Sequence, residues 1–172
     1  CANGAGYKAG PELLKSLGVF STLHTNDAPS SITRLQNMGT PNYLISAALT
    51  LIMAQRLARK NCPECSVIDE NVTPKLLNAI GFLPEQSARA KIYKGKGCDQ
   101  CGNTGFKGRM GIYEILEIDK ELKHGILSDM SQAELNSIAK KNGFRTMQEM
   151  GHDLLLSGDL CYSEFERVLQ SN

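Results

Sequence analysis

The longest apolar run of the sequence extends from Tyr43 to Ala54, and its apolar residues recur at the spacing of a helix. The run is much shorter than the about 20 residues that a membrane-spanning helix needs. Cations favour the last turn of a helix because they oppose the negative end of its dipole. We therefore expect a buried helix that stops at Asn61 and holds in its last turn Arg56, Arg59 and Lys60.

A shorter apolar run, Leu17 to Leu23, is followed by a polar string, His24-Thr-Asn-Asp27. We interpret the run as a buried strand and expect a helix after it, with Pro29 in its first turn and a stop at Gly39. Open α/β sheets bind ligands at the carboxyl ends of their strands, which is where His24 would lie. The alternative is that the polar string only caps the following helix.

Short elements follow, and the chain ends in helices. The patterns predict a short helix at Thr73–Ile80, a short strand at Lys91–Tyr93 and a longer strand at Ile112–Ile118. Two Ser-x-x-Glu sequences, at Ser131 and Ser163, have the spacing of capping boxes, which mark helix starts. The C-terminal helices are expected at Lys120–Leu127, Ser131–Lys141, Met147–Leu156 and Ser163–Leu169.

Four cysteines form two Cys-x-x-Cys pairs, Cys62 with Cys65 and Cys98 with Cys101. Such a set can close a tetrahedral zinc site, and an all-sulfur site leaves no position for water or substrate. Two disulfides are the alternative, but nothing in these residues marks an oxidising compartment. A redox dithiol would not need a second matched pair. The sequence therefore predicts a structural zinc site with four thiolate ligands.

Composition and charge narrow the class of protein. Hydrophobic residues make up 41% of the 172, enough for a core, and 19 basic against 18 acidic residues leave a formal charge of +1. No global field therefore favours nucleic acid. Basic and aromatic residues mixed near the second cysteine pair leave open a zinc-stabilised module that binds a protein partner or single-stranded nucleic acid. The mixture comprises Lys91, Tyr93, Lys94, Lys96, Phe106, Lys107 and Arg109.

An ordered series of motifs from Val19 onwards resembles the C-terminal part of the ATPases that drive type II secretion and type IV pilus assembly. Phe20-Ser-Thr-Leu-His-Thr-Asn-Asp27 resembles the histidine box of that family. The cysteine pairs are similar to those of the assembly ATPases and favour pilus extension or protein secretion over retraction. Further motifs follow in the family's order: Ile32-Thr-Arg-Leu35, Ala54-Gln-Arg-Leu-Ala-Arg59, Thr104-Gly-Phe-Lys-Gly-Arg-Met-Gly-Ile-Tyr-Glu114 and Phe144-Arg-Thr-Met147.

The resemblance implies a homo-hexameric motor with a RecA-like P-loop core that hydrolyses ATP with Mg²⁺ on the cytoplasmic side of the inner membrane. The implied partners are an inner-membrane platform protein and a cytoplasmic adaptor, with no nucleic acid. The resemblance assigns His24 and Thr22 to the catalytic site and Arg109 to the nucleotide. It assigns the four paired cysteines to structural zinc.

A Walker A loop, GxxxxGK[ST], does not occur in the sequence. Residues 1–18 depart from the family's sequence, and we expect the family's Walker A and Walker B motifs upstream. Phosphoryl transfer needs positioned charges around the γ-phosphate and magnesium. We therefore expect the parent protein to be an ATP hydrolase and these residues alone to bind ATP poorly and not to hydrolyse it.

The resemblance also divides the chain into consecutive parts. Residues 1–60 are expected to be the remainder of the RecA-like core and residues 61–106 the zinc-binding insert. Residues 107–119 are expected to return to the core as a strand, and residues 120–172 to form a helical subdomain. The predicted fold class is thus α/β, a partial RecA-like core with a tetracysteine insert and a helical end.

Overall fold

The computed structural model describes residues 20–23, 25 and 27–170, and the chain divides into two compact units. The first unit combines Cys1–Ala54 with Glu114–Arg145, and the second combines Gln55–Tyr113 with Thr146–Asn172. Each unit is thus built from two separate segments of the sequence. The consecutive domains expected above are a different division and stay a prediction.

The fold is mixed α/β. Strands β1 (Leu51–Asn61) and β4 (Phe106–Glu117) pair in one two-stranded sheet, and β2 (Ser66–Ile68) pairs with β3 (Tyr93–Gly95) in another. The helices of the described residues are α1 (Ala28–Asn37), α2 (Asn42–Ala48), α3 (Pro74–Ala79), α4 (Pro84–Arg89), α5 (Lys120–Leu127), α6 (Gln132–Lys141), α7 (Met147–Ser157) and α8 (Tyr162–Phe165), with a π-helical turn at Glu166–Gln170.

The first unit has an apolar core to which its helices and the end of β4 all contribute. The start of β1 lies beside the end of β4, because the Ile118 N–H donates to the Thr50 carbonyl at 2.9 Å. Burying these aliphatic side chains removes apolar surface from water, which is the main favourable term in folding. The fully or almost fully buried members are Ala28, Ile32, Ile45, Leu116, Ile118, Leu122, Ile126, Leu135 and Ala139.

Helix α1 confirms the prediction made from the polar string. The Asp27 carboxylate accepts a hydrogen bond from the Ser30 N–H at 2.7 Å, and Pro29 lies in the first turn. The helix ends before Gly39, which adopts a φ of +81° that favours glycine. A contact with β4 is added at the start, where the Ala28 N–H donates to Glu114 Oε1 at 2.6 Å. Asp27, the last residue of the polar string, therefore caps the helix.

The prediction of one helix from Tyr43 to Lys60 is wrong beyond Ala48. Helix α2 ends there, and residues 51–61 form β1, whose side chains alternate between exposed and covered positions. Arg56 and Arg59 therefore lie on a strand and not in a last helical turn. A short apolar run fits both periods, and pairing with the distant β4 decides between them.

The other predicted elements agree with the structure to different degrees. Helices α3, α5, α6 and α7 confirm the predictions to within one residue at each end. Strand β4 confirms the strand predicted at Ile112–Ile118 but begins six residues earlier, and β3 lies two residues after the strand predicted at Lys91. The capping box at Ser163 is wrong, because Cys161 is the N-cap of α8. In the strand predicted at Leu17–Leu23, residues 20–23 have no regular structure, and residues 17–19 lie outside the described residues.

The second unit contains most of β1 and β4 together with β2 and β3, which pair antiparallel with Ser66 opposite Gly95 and Ile68 opposite Tyr93. Helices α3 and α4 lie in the connection between those two strands. The unit also contains the C-terminal helices α7 and α8, and its core includes Leu77, Leu155 and Phe165, which are at most 1% exposed.

Among the described residues, no helix has the length and apolar character that crossing a bilayer requires.

Candidate metal centre

Two short turns present the four paired cysteines. Pro63–Cys65 and Asp99–Cys101 are single 3₁₀ turns, each following the first cysteine of its pair. In each turn the N–H of the second cysteine donates to the carbonyl of the first, at 3.4 Å for Cys65 and 3.2 Å for Cys101. The two thiols of a pair therefore project from one turn of chain, which is what the Cys-x-x-Cys spacing predicts.

The four sulfur atoms form one compact cluster, all within 4.8 Å of one another. The Sγ–Sγ distance is 3.9 Å between Cys62 and Cys98, 3.9 Å between Cys65 and Cys101, and 3.7 Å between Cys98 and Cys101. Four ligands about 2.3 Å from a zinc ion lie about 3.8 Å apart in an ideal tetrahedron. The cluster therefore has the dimensions of a tetrahedral thiolate site.

Backbone N–H groups point at two of the sulfurs. The Gly97 N–H donates to Cys65 Sγ at 3.3 Å, and the N–H groups of Cys98 and Gly105 donate to Cys101 Sγ at 3.3 Å each. Such bonds stabilise a negatively charged thiolate and hold the orientation of the ligand. They are the surroundings that a metal-binding thiolate has in proteins.

The pKa values of two thiols move in opposite directions. Burial raises the pKa of Cys101, but hydrogen bonds from the Cys98 and Gly105 N–H groups and from the Cys98 and Cys65 thiols together lower the pKa to about 6. Burial raises the pKa of Cys65 to about 11, more than the Gly97 hydrogen bond lowers it. A bound divalent cation favours deprotonation of every coordinating thiol.

The thiols are not joined to one another. Every cysteine of the described residues, including the buried Cys161, is a free thiol. Sulfur separations of 3.7 to 3.9 Å are far longer than the about 2.05 Å of a disulfide. The structure therefore does not form the disulfides that the sequence left as an alternative.

The three other predicted site residues are Thr22, His24 and Arg109. His24 lies outside the described residues. Thr22 is exposed in the segment before α1, and Arg109 is exposed on β4. The catalytic and nucleotide roles assigned to these three residues stay predictions.

Each cysteine pair with its turn is called a knuckle here, and the second knuckle holds Cys98 and Cys101. The basic residues around it are partly neutralised. Lys94 forms an ion pair with Asp69, Nζ to Oδ1 at 2.8 Å. Lys91, Lys107 and Arg109 are exposed. The mixture therefore offers fewer free cations to an anionic partner than its composition suggests.

A buried carboxylate in the second unit was missed by sequence reasoning. Glu164 on α8 is 0% exposed and bonds two guanidinium groups, those of Arg59 and Arg167. Burial opposes its ionisation, but hydrogen bonds from Arg167 and Arg59 lower the pKa of Glu164 to about 2. The i,i+3 spacing of Glu164 and Arg167 was a local signal for their ion pair. The contact of Glu164 with Arg59 had no local sequence signal.

Fold and site together define a mixed α/β protein with a tetracysteine cluster that can bind a metal ion. The sequence profile of the family described as "Type II/IV secretion system protein" matches residues 16–167. The chain therefore belongs to the type II/IV secretion system protein family.

Curated relatives carry names from two branches of that family. The chain is 42% identical over 140 residues to the type IV pilus assembly ATPase PilB of Thermus thermophilus, which covers 81% of this chain and 16% of the relative. It is 42% identical over 155 residues to the type IV pilus assembly ATPase TfpB of Acinetobacter baylyi, and this match covers 88% of the chain and 26% of TfpB. It is 32% identical over 154 residues to the type II secretion system protein E of Aeromonas hydrophila, and this match covers 90% of the chain and 30% of that relative. The chain thus spans less than a third of the length of each of these relatives.

Proposed function

We propose that this chain is the C-terminal part of a hexameric motor ATPase that powers type IV pilus assembly or type II protein secretion. The observation that carries the proposal is the match over residues 16–167 together with relatives named as pilus assembly ATPases at 42% identity. The motor has a RecA-like core whose phosphate-binding loop lies outside these residues. It works in the cytoplasm, at the inner membrane, through a platform protein and a cytoplasmic adaptor.

The metal of the centre is zinc, held by Cys62, Cys65, Cys98 and Cys101. Sulfur separations near 3.8 Å and the N–H groups that face Cys65 and Cys101 support this assignment. Bound zinc supplies a charge that keeps the four sulfurs deprotonated and ties the two knuckles together. With four thiolate ligands no position is open to substrate, so the residues of this centre stabilise the fold and take no part in catalysis.

The nucleotide site uses Thr22, His24 and Arg109 in the intact motor, with ATP and Mg²⁺ held by residues outside this chain. His24 senses the γ-phosphate or the attacking water, and Arg109 contacts the nucleotide. The support is the resemblance of residues 20–27 to the histidine box. The exposure of Thr22 and Arg109 leaves both side chains accessible to a ligand.

An assay of magnesium-dependent ATP hydrolysis tests whether catalysis needs residues outside this chain. We expect the 172-residue chain to show none, because a positioned loop and metal ligands around the γ-phosphate are required. The intact protein that contains these 172 residues is expected to hydrolyse ATP. Hydrolysis by the 172 residues alone contradicts the proposal, and so does a longer protein that has no activity.

The same assay on the longer protein tests His24. His24→Ala is expected to lower turnover by about 10²-fold, the usual effect of losing a positioned acid–base or electrostatic group. The matched control is His124→Ala, because His124 is exposed on α5. Metal content is expected to be equal in both variants. Unchanged turnover in His24→Ala contradicts the assignment.

Metal analysis of the purified chain tests the centre. About one zinc per chain is expected, and Cys98→Ser is expected to lose it together with the folding of the second unit, because binding energy at such a site is folding energy. The control is Cys161→Ser, since Cys161 lies outside the cluster. Full zinc occupancy in Cys98→Ser would refute the four-thiolate site.

An interaction module that binds single-stranded nucleic acid is the second function considered. Salt-dependent binding of single-stranded DNA by the chain, abolished when Lys107 and Arg109 are replaced, would favour it over the motor. The ion pair of Lys94 with Asp69 and the balanced total charge count against it.

A further inference from the structure

The end of β1 holds the C-terminal helices immediately before the chain enters the metal cluster. The Asn61 N–H donates to the Asp159 carbonyl at 2.8 Å, and its side-chain amide donates to the Gly158 carbonyl at 2.9 Å. Lys60 forms an ion pair with Asp159 at 2.9 Å. The next residue, Cys62, is one of the four thiols.

Glu164 is the most buried point of this contact. The Arg59 N–H donates to Glu164 Oε1 at 2.8 Å, and its guanidinium donates to Oε2 at 2.7 and 3.1 Å. Arg167 donates to both oxygens of the same carboxylate. A buried carboxylate with this many charge-assisted bonds is stable only while its partners stay in place, since an unpaired buried charge is costly.

Arg59 also contacts Phe106, which lies next to a residue that hydrogen-bonds the metal cluster. The Arg59 guanidinium carbon lies 4.1 Å from the centre of the Phe106 ring, within the range of a cation–π contact. Gly105, the residue before Phe106, donates its N–H to Cys101 Sγ and accepts a hydrogen bond from the Cys62 N–H at 2.9 Å. Arg59 therefore contacts Glu164 on one side and Phe106 on the other. Phe106 is the last residue of the ligand turn, which we define as residues 98–106 and which carries Cys98 and Cys101.

We propose that metal binding at the four cysteines and docking of the C-terminal segment, residues 158–170, are thermodynamically coupled through Arg59, Phe106 and Glu164. With metal bound, the ligand turn holds Phe106 and Arg59 where Glu164 needs them, and the segment stays docked. Without metal, the turn loosens and the segment is released. The inference rests on the proposed metal centre but not on the proposed motor activity.

Coupling of this kind is reciprocal, because a change at either site must alter the other by the same factor. Disrupting Glu164, which touches no metal ligand, therefore weakens metal binding. If Glu164 stabilised only the docked segment, independently of the metal, its loss would release residues 158–170 and leave metal affinity unchanged. The two possibilities are separated by measuring affinity and local order independently.

The affinity experiment titrates the full chain with Co²⁺, whose thiolate absorption reports binding directly. Glu164→Gln is expected to weaken Co²⁺ binding by about tenfold, within the usual range of coupling between sites. Phe106→Leu, which keeps an apolar side chain but removes the ring, is expected to weaken it by a smaller factor. Glu85→Gln is the control, because Glu85 is exposed on α4 of the same unit.

Hydrogen exchange gives the second measurement. Removing metal with a chelator is expected to speed amide exchange in residues 158–170 by more than about tenfold, with α6 of the other unit unchanged as an internal control. Unchanged exchange in residues 158–170, or equal Co²⁺ affinity for Glu164→Gln and the unmodified chain, overturns the coupling. An unmodified chain that binds no Co²⁺ overturns the metal centre itself, and the coupling with it.

Discussion

Gly95 and Gly105 bring two backbone segments together beside the thiols. A Cβ added to Gly95 would lie 1.9 Å from the Gly105 carbonyl oxygen, and one added to Gly105 would lie 2.5 Å from the Gly95 oxygen. Real side chains do not tolerate such distances, so only glycine fits at either position. The Gly105 N–H also donates to Cys101 Sγ, so the close approach of the Gly95 and Gly105 backbones is part of the metal centre.

Gly95→Ala is therefore expected to lower the free energy of unfolding of the second unit by about 3 kcal/mol, because overpacking against backbone forces the segments apart. Weaker Co²⁺ binding should accompany the loss of stability. Chemical denaturation followed together with metal titration measures both effects.

The matched control is Gly108→Ala. Gly108 adopts a φ of +81°, but an added Cβ would meet no atom within 4 Å, so the cost is only that of the left-handed backbone, about 1 kcal/mol. Metal affinity is expected to be unchanged there. Equal costs for the two substitutions would show that the Gly95 contact has no importance.

Capping is the feature that decides the helix starts at the scale of the element. Thr146 caps α7: its hydroxyl accepts from the Glu149 N–H at 3.3 Å, and the Thr146 N–H donates to the Glu149 carboxylate at 2.7 Å. The sequence Thr-x-x-Glu has the spacing of this box and is a local signal for the start of α7. At Ser163, by contrast, the same spacing does not form a box.

Thr146→Ala is expected to lower the free energy of unfolding by about 1 kcal/mol, the usual cost of losing an N-cap. Thr146→Ser keeps the hydroxyl and is expected to change it little. Ser163→Ala is expected to cost less than about 0.5 kcal/mol, because Ser163 is exposed and is not the N-cap of α8. Thermal unfolding of the three variants checks the ranking, and a larger loss for Ser163→Ala than for Thr146→Ala would reverse it.

The predictability of each element follows how local its signals are. The cysteine knuckles and the cap of α1 are formed by neighbours in sequence, so their spacing could be read directly. Strand β1 could not, because its helical apolar period was outweighed by pairing with β4, far along the chain. The bond between Arg59 and Glu164 joins residues 105 positions apart and left no local trace.

At the scale of the whole molecule, the two units draw their stability from different sources. The first has a continuous aliphatic core, whereas the second combines a buried apolar core with the four-thiol cluster. If metal-binding energy is folding energy, it should be linked to the core of the second unit and not to that of the first.

Two leucines of similar burial test this linkage. Leu122 in the first unit is 1% exposed and Leu155 in the second is 0% exposed, so replacing either by alanine is expected to cost about 2–5 kcal/mol through lost burial and a cavity. Only Leu155→Ala is expected to weaken Co²⁺ binding as well, because the metal must then stabilise a unit that has lost part of its core. Equal Co²⁺ affinities for the two variants, with both destabilised, would mean that metal binding and folding of the second unit are independent.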